Sequence, residues 1–227
     1  MTNRFIAAAF TLGLIFAGGP AMAAAIQINS AAALGSNDYF DWGQISSAHL
    51  ASPVSITSNL GSTGSISDGA GFSGLTEGTD WFGNFTVGNK VLFTGDTNSP
   101  FGASSSFTVD LNAAVGGLGL QITSNFYGGF DASLEIFNGA ISLGLFSVSG
   151  VMDGAENGSA PFLGAQSDAL NINKAVFTLT SNTGAGLGVN RLLTAGAATP
   201  VPEPVTLSLF GAGLVGAVAM RRRKAKA

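Results

Sequence analysis

The sequence predicts an all-β protein, an antiparallel β-sandwich of jelly-roll type, and three observations point there. Apolar and polar residues alternate with period two along several short stretches, as strands with one buried face require. Glycine is abundant at 33 residues and only 10 % of the chain is charged, against roughly 25 % in ordinary soluble domains. Between the two ends no stretch carries an apolar stripe at helical spacing.

The strands follow in order. Val54 to Thr57 is a short alternating run. Asn84-Phe85-Thr86-Val87 is set to meet Lys90-Val91-Leu92-Phe93 across Gly88-Asn89 as a hairpin. Ser106-Phe107-Thr108-Val109-Asp110-Leu111 alternates cleanly, and Leu118-Gly119-Leu120-Gln121-Ile122-Thr123 repeats the pattern. Leu134-Glu135-Ile136-Phe137 faces Ala140-Ile141-Ser142-Leu143 across Asn138-Gly139, a pair that tolerates the positive φ angles of a type I′ turn. Gly144 to Val148, Ala175 to Thr180 and Gly186 to Leu192 complete the set. Short strands at this spacing, joined by Gly-rich turns, suit a sandwich. No fixed period marks a solenoid or propeller.

A chain of 227 residues holds one domain with a self-sufficient core plus its targeting segments. The net charge of −4 hides an asymmetry. Arg4 lies near the start, and Arg221, Arg222, Arg223, Lys224 and Lys226 crowd the end, which leaves Lys90, Lys174 and Arg191 between. The middle is therefore acidic, with no basic surface to neutralise phosphates, and a nucleic-acid partner is excluded from the expectation. Cysteine is absent, which excludes disulfides, thiolate-held metals and thiol nucleophiles. Export stays open, because a domain of this size needs no disulfide staples.

Both ends read as addresses. The first 23 residues carry one cation, an apolar stretch from Phe5 to Phe16, then Gly18-Gly19-Pro20 ahead of Ala21-Met22-Ala23. This is the pattern of a secretory signal peptide with Ala21 and Ala23 as the small residues of the cleavage site, and it names the Sec machinery and signal peptidase as partners. At the other end Val205 to Met220 is apolar and lies between Pro204 and Arg221. As a helix it reaches about 24 Å at ~1.5 Å per residue, short of a ~30 Å hydrocarbon core, so it is a marginal transmembrane helix. The cations beyond it stay on the cytoplasmic side, which puts the chain from Ala24 to Pro204 across the inner membrane, in the periplasm. Gly211-Ala212-Gly213-Leu214-Val215-Gly216 spells G-x-G-x-x-G, yet it lacks the strand, the following helix and the acidic residue of a dinucleotide site. Small residues there suit close helix packing in a bilayer.

Pro202-Glu203-Pro204, the short apolar helix and the cluster Arg221-Arg222-Arg223-Lys224, in this order, resemble the PEP-CTERM sorting signal of Gram-negative, exopolysaccharide-producing bacteria. The resemblance implies recognition and removal of the tail by an exosortase, a membrane protease-transpeptidase, as the protein passes to the cell surface or its matrix. Pro200, Pro202 and Pro204 lack backbone donors and hold their segment extended, as a presented cleavage site must be. A permanent anchor would use the same helix and cations without needing Pro-Glu-Pro. The segments Phe137 to Ala140, Leu145 to Val148, Ala160 to Gly164 and Ile172 to Leu179 also resemble the β-sandwich carried by many proteins with this tail, which implies a fold and not an activity. The expected organisation is a signal peptide over 1–23, an exported sandwich over 24–193, a linker over 194–200 and the sorting signal over 201–227.

Candidate chemistry is sparse. His49 is the one histidine, and no G-x-S-x-G elbow supplies a nucleophile, so a triad is not expected. Glu135 and Asp110 are carboxylates on strands, where a hydrolase pair would have to form; Glu135 alternates with Leu134 and Ile136 and so faces solvent. Asp68, Glu77 and Asp80, then Asp96 and Asn98, then Asp153, Glu156 and Asn157 cluster in Gly-rich loops. They are hard oxygen donors suited to Ca²⁺, and ordinary turn usage of Asp and Asn explains them equally well. Tyr39, Phe40, Trp42, Trp81, Phe82 and Tyr127 lie near glycines, where exposed rings, Trp42 and Trp81 above all, would stack on sugars; core packing is the other reading. The expected function is non-enzymatic: an exported cell-surface or matrix protein with a structural or adhesive part in an exopolysaccharide biofilm. A glycan-binding, lectin-like sandwich with or without Ca²⁺ is the alternative, and a carboxylate-dependent glycoside hydrolase stands third.

Overall fold

The computed structural model describes residues 25–96, 102–182 and 185–196. The expected signal peptide, with Ala21 and Ala23, and the expected sorting signal, with Pro202, Glu203, Pro204, Arg221, Arg222 and Arg223, lie outside the described residues. Among those described, no helix is long and apolar enough to cross a membrane.

The chain runs β1 (Ala25–Ile28), a single helical turn α1 (Ala31–Leu34), β2 (Asp38–Phe40), a 3₁₀ turn (Trp42–Gln44), β3 (Val54–Thr57), β4 (Thr63–Asp68), β5 (Phe72–Thr76) and β6 (Lys90–Thr94). It continues through β7 (Ser106–Val115), β8 (Gly117–Ser124), β9 (Gly128–Asn138), β10 (Ile141–Met152), β11 (Phe162–Ser167), β12 (Ile172–Leu179), β13 (Leu187–Val189) and β14 (Leu192–Ala195). All strand pairings are antiparallel.

Two sheets form. The first has the order β1-β11-β8-β13-β6-β5, with β14 also bonded to β8 and β2 beside it; the second has the order β10-β9-β12-β7-β4-β3. Within them β6-β13-β8-β11 and β7-β12-β9-β10 are consecutive, so the chain from β6 to β13 crosses between sheets at nearly every step. That is the jelly-roll arrangement of eight strands in two Greek keys. Strands β13 and β14 are two halves of one line along β8: Leu187–Val189 pairs with Ile122–Ser124, and Leu193–Ala195 pairs with Gly117–Gly119. Asn190 and Arg191 sit at the break.

Period-two alternation sends one face of each sheet into a shared core. Leu118, Leu120 and Ile122 of β8 meet Val109, Leu134, Ile136 and Phe177 of the opposite sheet, all fully buried. Phe107 stacks on Phe177 at 5.2 Å and presents an edge contact to Phe72 at 6.4 Å, so one ring ties the second sheet to the first.

Most strands fall where the pattern placed them, and three expectations need correction. Asn84–Val87 does not pair with β6; β5 does, because Glu77 and Asn84 bond the 77–89 segment into a loop. The β9–β10 turn is Gly139-Ala140, with Asn138 paired to Ile141, and positive φ falls on Gly139 alone, the signature of a type II′ turn and not I′. The expected strand Gly186 to Leu192 is broken at Asn190-Arg191 into β13 and β14, and β14 runs on to Ala195 because Thr194 and Ala195 are buried and paired to β8 and β2. Replacing Phe107 with Ala removes the ring that bridges the sheets and is expected to cost about 3–5 kcal/mol. Equilibrium denaturation of the purified protein checks this, and a loss below about 1 kcal/mol would show that the bridge contributes little.

Candidate functional site

On β8 the core takes Leu118, Leu120 and Ile122, so Gly117, Gly119, Gln121 and Thr123 point to the outer face of the first sheet. The glycines leave that face nearly bare, and two caps lie down on it. One is built from Ile28, Leu34, Phe162 and Ala195. The other is built from Leu75, Trp81, Phe85, Val91, Phe93 and Ala160. Between them opens a cleft of about 210 Å³ lined by Ala31, Asn89, Gln121, Phe162, Asn190, Arg191 and Leu193.

Its polar wall is a chain of side-chain amides. Asn190 Nδ2 donates to Asn89 Oδ1 at 2.9 Å and to Gln121 Oε1 at 3.1 Å. Gln121 Nε2 donates to the carbonyls of Gly158 and Ala160 at 3.0 and 2.9 Å. Asn190 Oδ1 accepts from the Arg191 amide, and the Trp42 indole donates to the Asn190 carbonyl at 2.7 Å. Each amide therefore fixes its neighbour, and few orientations remain open.

Arg191 continues the site outward. Its Nη2 and Nε donate to Asp41 Oδ2 at 2.9 and 3.2 Å, and its guanidinium lies 4.4 Å from the Tyr39 ring centroid. The pair is half-exposed, so it contributes little to stability, but ion pair and ring together hold the side chain still. Beyond this cluster a second depression of about 350 Å³ is lined by Tyr39, Asp41, Gln44, Thr57, Ser58 and Asn59.

Two buried carboxylates brace the surroundings. Glu77, with no exposed surface, accepts from the Gly83 amide at 2.6 Å and the Phe85 amide at 3.4 Å. Its backbone also bonds Asn89 and Gly88, so it holds the loop that delivers Asn89. Burial pushes its carboxyl above the usual range; the Gly83 and Phe85 amides oppose that, and Glu156 adds to it. Burial also pushes Asp38 up, but bonds from Ser58, Leu60, Tyr39 and Ser62 together outweigh it and hold its carboxyl below the usual range.

The residues singled out by sequence fare unevenly. Trp42 and Trp81 are not exposed platforms: both are buried, Trp42 in the main core and Trp81 in the second cap. The reason for Trp81 is distant glycine, since a Cβ at Gly188 would lie 2.5 Å from its ring. Phe40 is core as well, while Phe82 and Tyr127 are exposed. Glu135 lies off the core and accepts from Ser142 Oγ at 2.7 Å, and Asp110 is exposed on β7.

The proposed calcium donors are dispersed. Among the described residues no three His, Asp or Glu side chains converge on a metal position. Asp68 accepts from the Ala70 and Gly71 amides, Asp80 from the Thr76 amide, and Asp153 from Asn84 Nδ2 and the Ala155 amide. Asp96 follows β6, with its amide bonded to the Gly102 carbonyl, and Glu156 holds a positive φ of 51° while its amide bonds the Gly83 carbonyl. Burial raises the Asp68 carboxyl, opposed by the Gly71 and Ala70 amides and by His49. Asn89, Gln121, Asn190 and Arg191 were not legible as a site. Their one local signal is the polar Asn190-Arg191 pair inside an otherwise apolar run.

The tail supplies the decisive comparison: residues 200–224 match the model of the PEP-CTERM protein-sorting motif. The chain carries a PEP-CTERM sorting motif. It begins just beyond the last strand of the sandwich, and it implies export and sorting to the cell envelope or surface through exosortase-type machinery. No curated protein matches the chain.

Glu77 yields a test with a definite sign. A carboxyl whose folded pKa is raised contributes stability that is full below its unfolded pKa and is lost as pH rises through the folded value. The melting-temperature advantage of the native protein over Glu77→Gln is thus expected to shrink as pH rises above the ordinary glutamate range. An advantage that grows with pH would mean that the Gly83 and Phe85 bonds outweigh burial.

Proposed function

We propose that the protein is a non-enzymatic structural or adhesive component of a bacterial surface or polysaccharide matrix. It is exported behind its signal peptide, held for a time at the inner membrane with the sandwich in the periplasm, and processed at or near Pro202-Glu203-Pro204 by an exosortase-type enzyme. The sorting motif at residues 200–224 carries this reading.

The sandwich supports it in two ways. Its fold closes at Ala195, so removal of the motif would leave every described strand intact. Its carboxylates in loops and at strand ends are occupied in local bonds: Asp38, Asp41, Asp68, Asp80, Asp153 and Glu77 all accept from backbone amides. Capping of this kind explains their placement without a catalytic part.

Intact-mass measurement of the protein recovered from its native host tests the processing. The expected product begins near Ala24 and lacks the segment that follows Pro204. Recovery of a chain ending in Lys226-Ala227 would overturn exosortase processing in favour of a permanent anchor.

A further inference from the structure

We infer that the outer-face cleft binds a neutral, linear polysaccharide, with one sugar ring beside Asn89, Gln121 and Phe162 and the chain passing Arg191 towards Tyr39 and Asn59. This rests on the surface-protein reading only for where the ligand would be met. The cleft stands on its own geometry.

Three features select the ligand. First, the wall is made of carboxamides, planar groups whose donors and acceptors match the paired hydroxyls of a sugar ring. Most of their capacity is spent on one another and on backbone groups, which orients them; Asn89 Nδ2 and Arg191 Nη1 have no acceptor among the described residues. These two donors flank a cleft whose apolar side is Phe162 and Leu193. An apolar flank opposite oriented polar groups suits a ligand with a C–H face and a hydroxyl edge.

Second, the site is electrically neutral. Arg191 is paired with Asp41, and the other two cations of the described residues are engaged elsewhere, Lys90 with Thr76 Oγ1 and Lys174 over the Phe137 ring. With Asp41 offsetting Arg191, the cleft carries no net positive charge that would favour an anionic ligand over a neutral one. A neutral polyol needs oriented donors and acceptors.

Third, the cleft is open and continues. At about 210 Å³ it is smaller than the ~300–1,000 Å³ pockets that enclose small ligands. Asp41 and Tyr39, which fix Arg191, also line the second depression, whose other walls are Gln44, Thr57, Ser58 and Asn59. Two shallow depressions of mixed lining, joined at one rigid Arg-Asp-Tyr cluster, are arranged for successive units of a chain.

The test uses the full chain, ¹⁵N-labelled and held in dodecylphosphocholine micelles, so that it does not depend on processing and no detergent sugar competes. Maltohexaose, cellohexaose and β-1,4-mannohexaose are the neutral probes, and hexagalacturonate is the acidic one. At least one neutral probe is expected to shift the amide signals of Asn89, Asn190 and Arg191 and the Trp42 indole signal in a saturable way. Asn89→Ala and Arg191→Ala are expected to weaken that binding by about tenfold each, the loss of one well-placed donor, with the remaining spectrum showing the fold intact. Tyr127→Ala should leave it unchanged. Absence of saturable shifts with all three neutral probes at millimolar concentration would overturn the inference. So would shifts confined to Phe82, Phe126 or Tyr127, or binding of hexagalacturonate alone. None of these outcomes bears on the processing at Pro202-Glu203-Pro204, which intact mass decides separately.

Discussion

Close backbone approach on the outer face of the first sheet is the constraint on which the rest of the molecule depends. A Cβ at Gly119 would lie 2.6 Å from Phe162 Cζ and 2.7 Å from the Gly164 Cα, and one at Gly188 would lie 2.5 Å from the Trp81 ring. Gly119 and Gly164 are direct cross-strand partners on β8 and β11, so two bare positions fall side by side and leave a seat for one aromatic ring. Side chains there would lift both caps from the sheet and expose their apolar faces to water, at roughly 25 cal/mol per Å² uncovered. The face would then be a flat polar surface. With the glycines in place it carries two small cores with a cleft between them.

The break between β13 and β14 gives this packing the polar wall of its cleft. Leu187 and Val189 before it and Leu192 after it enter the main core, so Asn190 and Arg191 are fixed on both sides by buried neighbours. The break costs ladder hydrogen bonds, and the structure replaces them: the Asn190 amide donates to the Gln121 carbonyl and the Trp42 indole donates to the Asn190 carbonyl. Trp42 therefore serves the site from beneath, as a donor holding the backbone from which Asn190 and Arg191 project. Rigid strands on each side of a short irregular step are a firmer base for binding groups than a loop tip would be.

The architecture was legible because jelly-roll strands announce themselves locally. Ser106–Leu111 and Leu118–Thr123 alternate within their own few residues, and that suffices to assign a buried face. What failed was information held at long range. Gly88-Asn89 reads as a hairpin turn in isolation, yet the Glu77 carboxyl and Asn84, bonded to Asp153 at 2.6 Å, draw the preceding residues into a loop. Trp81 looks like an exposed ring among glycines, but the glycine that accommodates it is Gly188, on another strand. The site is assembled from Asn89, Gln121 and Asn190, which sequence separates by as much as 101 positions. Local pattern carries no trace of such a meeting.

Scarcity of charge links the exported domain to its tail. A jelly roll with few charged residues is stabilised mainly by apolar burial and hydrogen bonding, both of which are less sensitive to ionic strength than surface ion pairs are. Its cations are few enough that Arg191, Lys90 and Lys174 are each engaged, and non-specific attraction to anionic surfaces is correspondingly weak. The basic charge of the protein is concentrated instead in Arg221, Arg222, Arg223, Lys224 and Lys226, within or just past the matched sorting segment. Removal of that segment would discard most of the molecule's positive charge in one step. What would remain is an acidic sandwich that anionic polymers repel, so any hold on such a surface would have to come from specific contacts rather than from net charge.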